Sequence, residues 1–186
     1  MTLLRLVTFL AITGCGPETT SFRTTDHGDG LEPAGHSAAA YVVRSSGHSV
    51  ASVHVWSNGG FIGSSGEPMT HVGFEIQNTG ASPIELDGDA IQLVVFDKLG
   101  AALPPAVFTV VTPLGPALVP IAPGATTPLD VYFRIPTSPR VVDTMRVQWT
   151  LRHDDVRSVQ TTNFVRDDDY PVADPPSEVP TIRVGS

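Results

Sequence analysis

Two runs near the C-terminal half of this chain carry strict period-two alternation, and that constrains the fold more than any other feature. Leu129, Val131, Phe133 and Ile135 alternate with Asp130, Tyr132 and Arg134. Met145, Val147, Trp149 and Leu151 alternate with Arg146, Gln148, Thr150 and Arg152. Successive side chains on a strand point to opposite faces, so each run is a strand with one apolar face. A third run, HVGFEIQN, puts Val72, Phe74 and Ile76 on one side and His71, Gly73, Glu75 and Gln77 on the other. No helical period competes with these patterns.

Other segments fit the same reading. Tyr41 to Arg44 and Val50 to Trp56 read as early strands, with Ser57-Asn58-Gly59-Gly60 as a hairpin turn between strands. FIGSSGEPM reads as a loop. Ala90 to Asp97 is apolar on both faces in its middle, which predicts a strand covered on each side. Val107 to Val111 is short and β-branched, and Ser158 to Val165 is a weaker last strand. Asn78-Thr79-Gly80, Asp97 to Gly100 and Pro123-Gly124 are turns. With 17 Gly and 17 Pro in 186 residues, long helices are disfavoured. Short strands between such turns predict an all-β antiparallel sandwich with Trp149 as a large central filler. A small barrel shares the periodicity.

The ends differ from this middle. Residues 1–14 hold a single charge, Arg5, and an apolar run from Leu6 to Ile12 that is too short to span a bilayer. The only cysteine, Cys15, follows directly, so no internal disulfide can form. Ile12-Thr13-Gly14-Cys15 resembles a bacterial lipobox. That resemblance implies cleavage of 1–14 as a lipoprotein signal peptide, lipidation of Cys15 by diacylglycerol and further acylation, and a membrane partner through this N-terminal lipid anchor. It places the protein in the bacterial cell envelope, at the outer membrane by the sorting rules of that family. Residues 15–40 are rich in Thr, Gly, Pro and Ser without period, and read as a flexible tether. About 25 such residues reach roughly 25–30 Å. Residues 41–166 form the expected sandwich, and 167–186 a Pro/Asp-rich tail in which PTIRV could add an edge strand.

The succession of Asn78-Thr79-Gly80, Asp97 to Gly100, Pro123-Gly124, Phe133 to Pro136 and MRVQW resembles the immunoglobulin-like domains of bacterial surface lipoproteins. It covers about residues 48–166 and consists of turn motifs, so it implies a fold and not a chemistry. The cysteine pair of antibody domains is absent.

The formal net charge is −8, from 11 Lys+Arg against 19 Asp+Glu. A scattered acidic balance argues against nucleic acid, which needs a basic stripe, and against binding anionic headgroups by charge alone. Gly63-Ser64-Ser65-Gly66 lacks the glycine spacing and the following helix of a nucleophile elbow. The six histidines form no close pair in sequence, although His54 and His71 could meet on one sheet face near Glu75 as a partial zinc site. Asp26 to Gly30 misses the oxygen ligands of an EF-hand. Asp87 and Asp89, with Asp167, Asp168 and Asp169, supply oxygen-rich loops that could hold calcium at one end of a sandwich. No cofactor is otherwise implied and no catalytic set emerges, so the expectation is a non-enzymatic, lipid-anchored binding or structural module with an envelope protein or glycan as partner. The alternative is a calcium-dependent adhesion or carbohydrate-binding module. An enzyme would need a cleft that nothing in the sequence marks.

Overall fold

The structure, a computed structural model, describes residues 19–26, 37–104, 106–112 and 118–169. The expected antiparallel β-sandwich forms. One sheet has the order β2-β3-β4-β9-β7, with β2 Ala39–Ser45, β3 His48–Ile62, β4 Pro68–Asn78, β7 Val107–Thr112 and β9 Thr126–Arg134. The other has the order β1-β11-β10-β5-β8, with β1 Phe22–Thr24, β5 Ile84–Asp87, β8 Leu118–Ile121, β10 Val142–His153 and β11 Val156–Arg166. In this second sheet β6, Gln92–Asp97, also pairs with β10, beside the start of β10, while β5 pairs with its end.

The alternating residues build the interior. Val72, Phe74 and Ile76 of β4 and Leu129, Val131 and Phe133 of β9 meet Met145, Val147, Trp149 and Leu151 of β10, all buried. Trp149 is fully buried, with Tyr41 edge-on at 5.3 Å and Phe74 at 6.1 Å between ring centroids. Such edge-to-face pairs add stability beyond area burial. The Trp149 indole N–H donates to Thr162 Oγ1 at 3.1 Å, so its one polar atom is satisfied. The turns behave as their residues require. Asn78, fully buried, donates to the Ser82 and Ile121 carbonyls and accepts from the Gly80 N–H. Asp97 Oδ1 accepts from the Leu99 and Ala101 amides.

Three expectations need correction, and two strands were not expected. The flexible tether of 15–40 does not run unbroken to the sandwich, because Phe22–Thr24 is a strand paired with β11. Phe22 and Thr24 face inward and Arg23 outward, a period too brief to read in three residues. The sandwich therefore begins before residue 41, and β2 itself starts at Ala39. Secondly, Ser57-Asn58-Gly59-Gly60 is not a hairpin turn. It lies inside β3 as a bulge, where pairing with β4 shifts between Trp56 and Gly59. Ser57 Oγ donates to the His71 carbonyl and accepts from the Gly59 N–H, and Gly59 takes φ of +100°. Residues that tolerate positive φ serve bulges as well as turns. The hairpin turn is Gly63–Glu67, so Phe61, Ile62, Pro68 and Met69 are strand rather than loop. Thirdly, β6 is covered on one face only, with Gln92 and Val94 exposed between buried Leu93 and Val95. Finally, β5 and β8 were not legible as strands. Pro120 sits inside β8, which is tolerated because β8 pairs on one side only. Residues 1–18, with Cys15, and the tail from 170 onward lie outside the described residues, as does the PTIRV segment.

Candidate functional site

The acidic residues proposed for calcium fall in two places. Asp87 ends β5, beside the C-terminal half of β10, where Leu86 pairs with Leu151. It is 5% exposed and engaged: Arg152 Nε donates to its Oδ2 at 3.0 Å, Arg152 Nη2 is also on that oxygen, and Arg157 Nη2 lies 3.7 Å away. The Arg152 hydrogen bond holds the Asp87 carboxyl below the usual carboxylate range, against the opposing effect of burial. Asp89 follows in a 3-10 turn, Gly88–Ala90. Asp167 to Asp169 follow β11, whose end pairs with the opposite extremity of β10, at Thr144. Asp167 pairs with Arg23 at 2.8 Å and Asp168 with Arg166 at 2.6 Å. About eight residues of β10 at roughly 3.3 Å each, from the level of Thr150 to that of Val142, separate the two acidic groups, so they do not converge on one ion. Among the described residues, no group of three or more His, Cys, Asp or Glu side chains is arranged to hold a metal.

The histidine expectation also changes. His54 lies directly across from Glu75, with Nδ1 to Oε1 at 3.5 Å. His71 shares that sheet face but sits four residues along β4, about 13 Å away at strand rise. It pairs instead with Gly59 and Tyr132. Buried at 1% exposure, His71 accepts the Asn58 N–H on Nδ1 at 3.1 Å and contacts Asp130 through Nε2 at 2.8 Å. An amide donor on Nδ1 requires a lone pair there, so the proton sits on Nε2 and is donated to Asp130.

Around this histidine the outer face of the five-stranded sheet carries an aromatic group that the sequence hid behind alternation. Trp56 lies across Gly73, where any Cβ would enter the indole ring. Phe61, Met69 and Tyr132 pack together beside it, and Tyr132 tilts over the His71 ring at 5.2 Å. Burial and the Asp130 charge push the Tyr132 hydroxyl up to about 12. Ser57, His71 and Asp130 thus share a neighbourhood and could be taken for a nucleophile, base and orienting acid. Their wiring differs. The Ser57 hydroxyl donates to the His71 backbone carbonyl, and both ring nitrogens of His71 are occupied by Asn58 and Asp130. No ring nitrogen is left to take a proton from Ser57, which acyl transfer by such a set requires. The group reads as a polar clasp that fixes the β3 bulge to β4 and β9.

Two concavities lie elsewhere on the sandwich. One of about 10 Å³ lies between the sheets, lined by Val43, Val50, Ile84, Leu151 and Val156 among others, with room for one water at most. A second, about 210 Å³, is open and bordered by Pro83, Glu85, Arg152 and Asp154. The Gly63–Gly66 segment is a tight hairpin turn, with the Gly66 N–H donating to the Gly63 carbonyl at 2.9 Å. No helix among the described residues is long and apolar enough to cross a membrane.

A further built contact is one that sequence reading missed. Thr20 and Gly60 exchange two backbone hydrogen bonds, at 2.9 and 2.7 Å. A Cβ on Gly59 would strike the Thr20 carbonyl oxygen, and one on Gly60 would come within 2.7 Å of Pro139 Cβ. The two glycines form a socket for the N-terminal segment. The only available signal was the pair itself, which reads equally as a turn.

No protein-family description matches the chain, and no curated protein matches it. Among solved structures, a FixG-related protein from Vibrio parahaemolyticus is similar with a TM-score of 0.41 and 12% identity, over 63% of this chain and 97% of that one. An uncharacterized β-sandwich protein from Clostridium difficile 630 is similar with a TM-score of 0.33 and 14% identity, over 65% of this chain and 89% of that one.

Proposed function

We propose that this protein is a non-enzymatic, lipid-anchored module of the bacterial cell envelope that presents a β-sandwich to an envelope protein or glycan. The observation that carries the reading is the N-terminal sequence: a short apolar run with one arginine, ending in Ile12-Thr13-Gly14-Cys15. Acylation on sulfur and on the new amine would supply two or three chains. Each buried CH₂ contributes about 0.8 kcal/mol, so two or more chains hold where one is marginal. Outer-membrane placement follows the same resemblance. The non-catalytic half of the reading is supported by the Ser57, His71 and Asp130 wiring, which leaves the histidine no nitrogen to take a proton from the serine. Partner binding would use exposed turns carried by the rigid sheets.

The test is Cys15→Ser in the full chain. The expected result is loss of lipid labelling and release from the membrane fraction. A Cys15→Ser protein that fractionates with membranes as the parent does would sink the anchor.

A further inference from the structure

Accepting that Cys15 is the lipid attachment point, we infer that one end of the sandwich, carrying Ile62, Leu99 and Val141, is held against the bilayer surface. The length of free chain limits how far the domain can stand from the anchor. The tether expected from composition would let the domain swing through roughly 25–30 Å. The structure shortens it, because Thr20 is bonded in both directions to Gly60 and Phe22–Thr24 is locked onto β11. Five Cα–Cα steps separate Cys15 from Thr20. At 3.3–3.6 Å each they span at most about 18 Å even when fully extended.

The place where the described segment begins is also fixed. Phe22 pairs with Arg166 and the Asp167 N–H donates to the Ser21 carbonyl, so Thr20 lies beyond the end of β11. That is the end where β3 finishes at Ile62, two residues beyond Gly60. The 3-10 turn Pro139–Val141 abuts Gly60 there. The turn after β6 is there too, since Asp97 pairs with Val142. Leu99 in that turn is 92% exposed, Val141 44% and Ile62 37%. Apolar side chains presented within the short reach of the lipid-bearing residue fit an interfacial surface, in which they gain burial at the headgroup level. Charge is mixed at this end, with Asp143 and Asp167 to Asp169 beside Lys98 and Arg140, so the contact is set by the short leash and the apolar tips rather than by net charge.

The experiment uses the native acylated full chain, purified from membranes and returned to vesicles of phosphatidylethanolamine and phosphatidylglycerol that contain a headgroup-nitroxide lipid. A fluorophore is placed on Leu99→Cys, or on Ser46→Cys in the β2–β3 turn. That turn lies about twelve strand residues from Gly60, roughly 40 Å away. The inference expects several-fold stronger quenching at position 99 than at 46. It also expects the difference to collapse when a twenty-residue Gly/Ser spacer is inserted after Gly16, with membrane fractionation unchanged. Equal quenching at the two positions in protein whose Cys15 is acylated by mass spectrometry overturns this inference and leaves the anchor standing. A Cys15 that carries no acyl chain overturns the anchor and this inference together.

Discussion

The two ends of the sandwich are fastened by different physics. At the end where β10 finishes, Asp87 is buried and held by Arg152 with Arg157 nearby. At the end where the N-terminal segment comes in, Gly59 and Gly60 admit Thr20 and Pro139 by having no side chain, and the ion pairs Arg23 with Asp167 and Arg166 with Asp168 are on the rim. One end is locked by charge in a low-dielectric setting and the other by shape. The comparison teaches that loop acidity alone says little: the same residue type is a structural pin where it is itself buried against an arginine, as Asp87 is, and contributes little where it stays exposed, as Asp168 does.

The difference should show as an ordered series of losses. Gly59→Ala is expected to be the most damaging, at about 3 kcal/mol or more, because it adds a Cβ against the Thr20 backbone at a φ of +100°. The midpoint of urea unfolding measures it, and a loss under about 1 kcal/mol would mean the entry end is not locked by shape. Asp87→Ala comes next, at about 2–3 kcal/mol, since it strands Arg152 beside a buried position.

The same aspartate makes its end acid-sensitive. Its folded-state carboxyl is held below the ordinary range, so its contribution is complete above about pH 4 and is lost as the pH falls further. Thermal unfolding of the parent should therefore steepen its decline below that pH, and Asp87→Asn should flatten it. Identical acid profiles for the two would remove the charge lock.

Tyr41 gives a smaller effect of opposite sign. Its hydroxyl lies 2.8 Å from Thr162 Oγ1 and 3.0 Å from Asp26 Oδ2, tying the N-terminal segment to both sheets. Burial pushes it up to about 12, assisted by the Asp26 charge and opposed by the Thr162 hydrogen bond. A raised folded value means stability is full below about pH 10 and falls as the pH climbs from there toward 12. Tyr41→Phe should cost about 1 kcal/mol at neutral pH. It should also blunt part of that alkaline decline, the rest belonging to Tyr132, and ultraviolet titration of the phenolate reads both. Smallest of all is Arg23→Ala, where the arginine is 52% and its partner Asp167 23% exposed, and which should change stability by less than about 1 kcal/mol and only at low salt. A larger loss would blur the distinction between the two ends.

The strands most visible in the sequence were those with one face against the core over many residues. The apolar positions around Phe74, Val131 and Trp149 are all buried as the alternation predicts, while His71, Tyr132 and Thr150 on the opposite face are buried as well, which the alternation did not announce. Phe22–Thr24 was invisible because three residues cannot display a period. Leu118–Ile121 was masked by its proline. The candidate metal ligands were legible as residue types and not as a set. Strand order sends Asp87 and Asp167 to different extremities of β10, and only pairing decides that.

Taken alone, the sequence determined that this chain alternates, turns at Asn78-Thr79-Gly80 and Pro123-Gly124, and buries a tryptophan on β10, because side-chain direction and turn chemistry are local properties of the backbone. Tertiary structure alone decided which partner each polar group met. It turned Ser57-Asn58-Gly59-Gly60 into a bulge and socket, closed His71 between Asn58 and Asp130, and drew the N-terminal segment into the sheet. Those outcomes depend on contacts between residues far apart in the chain, and no local pattern encodes which distant surface arrives.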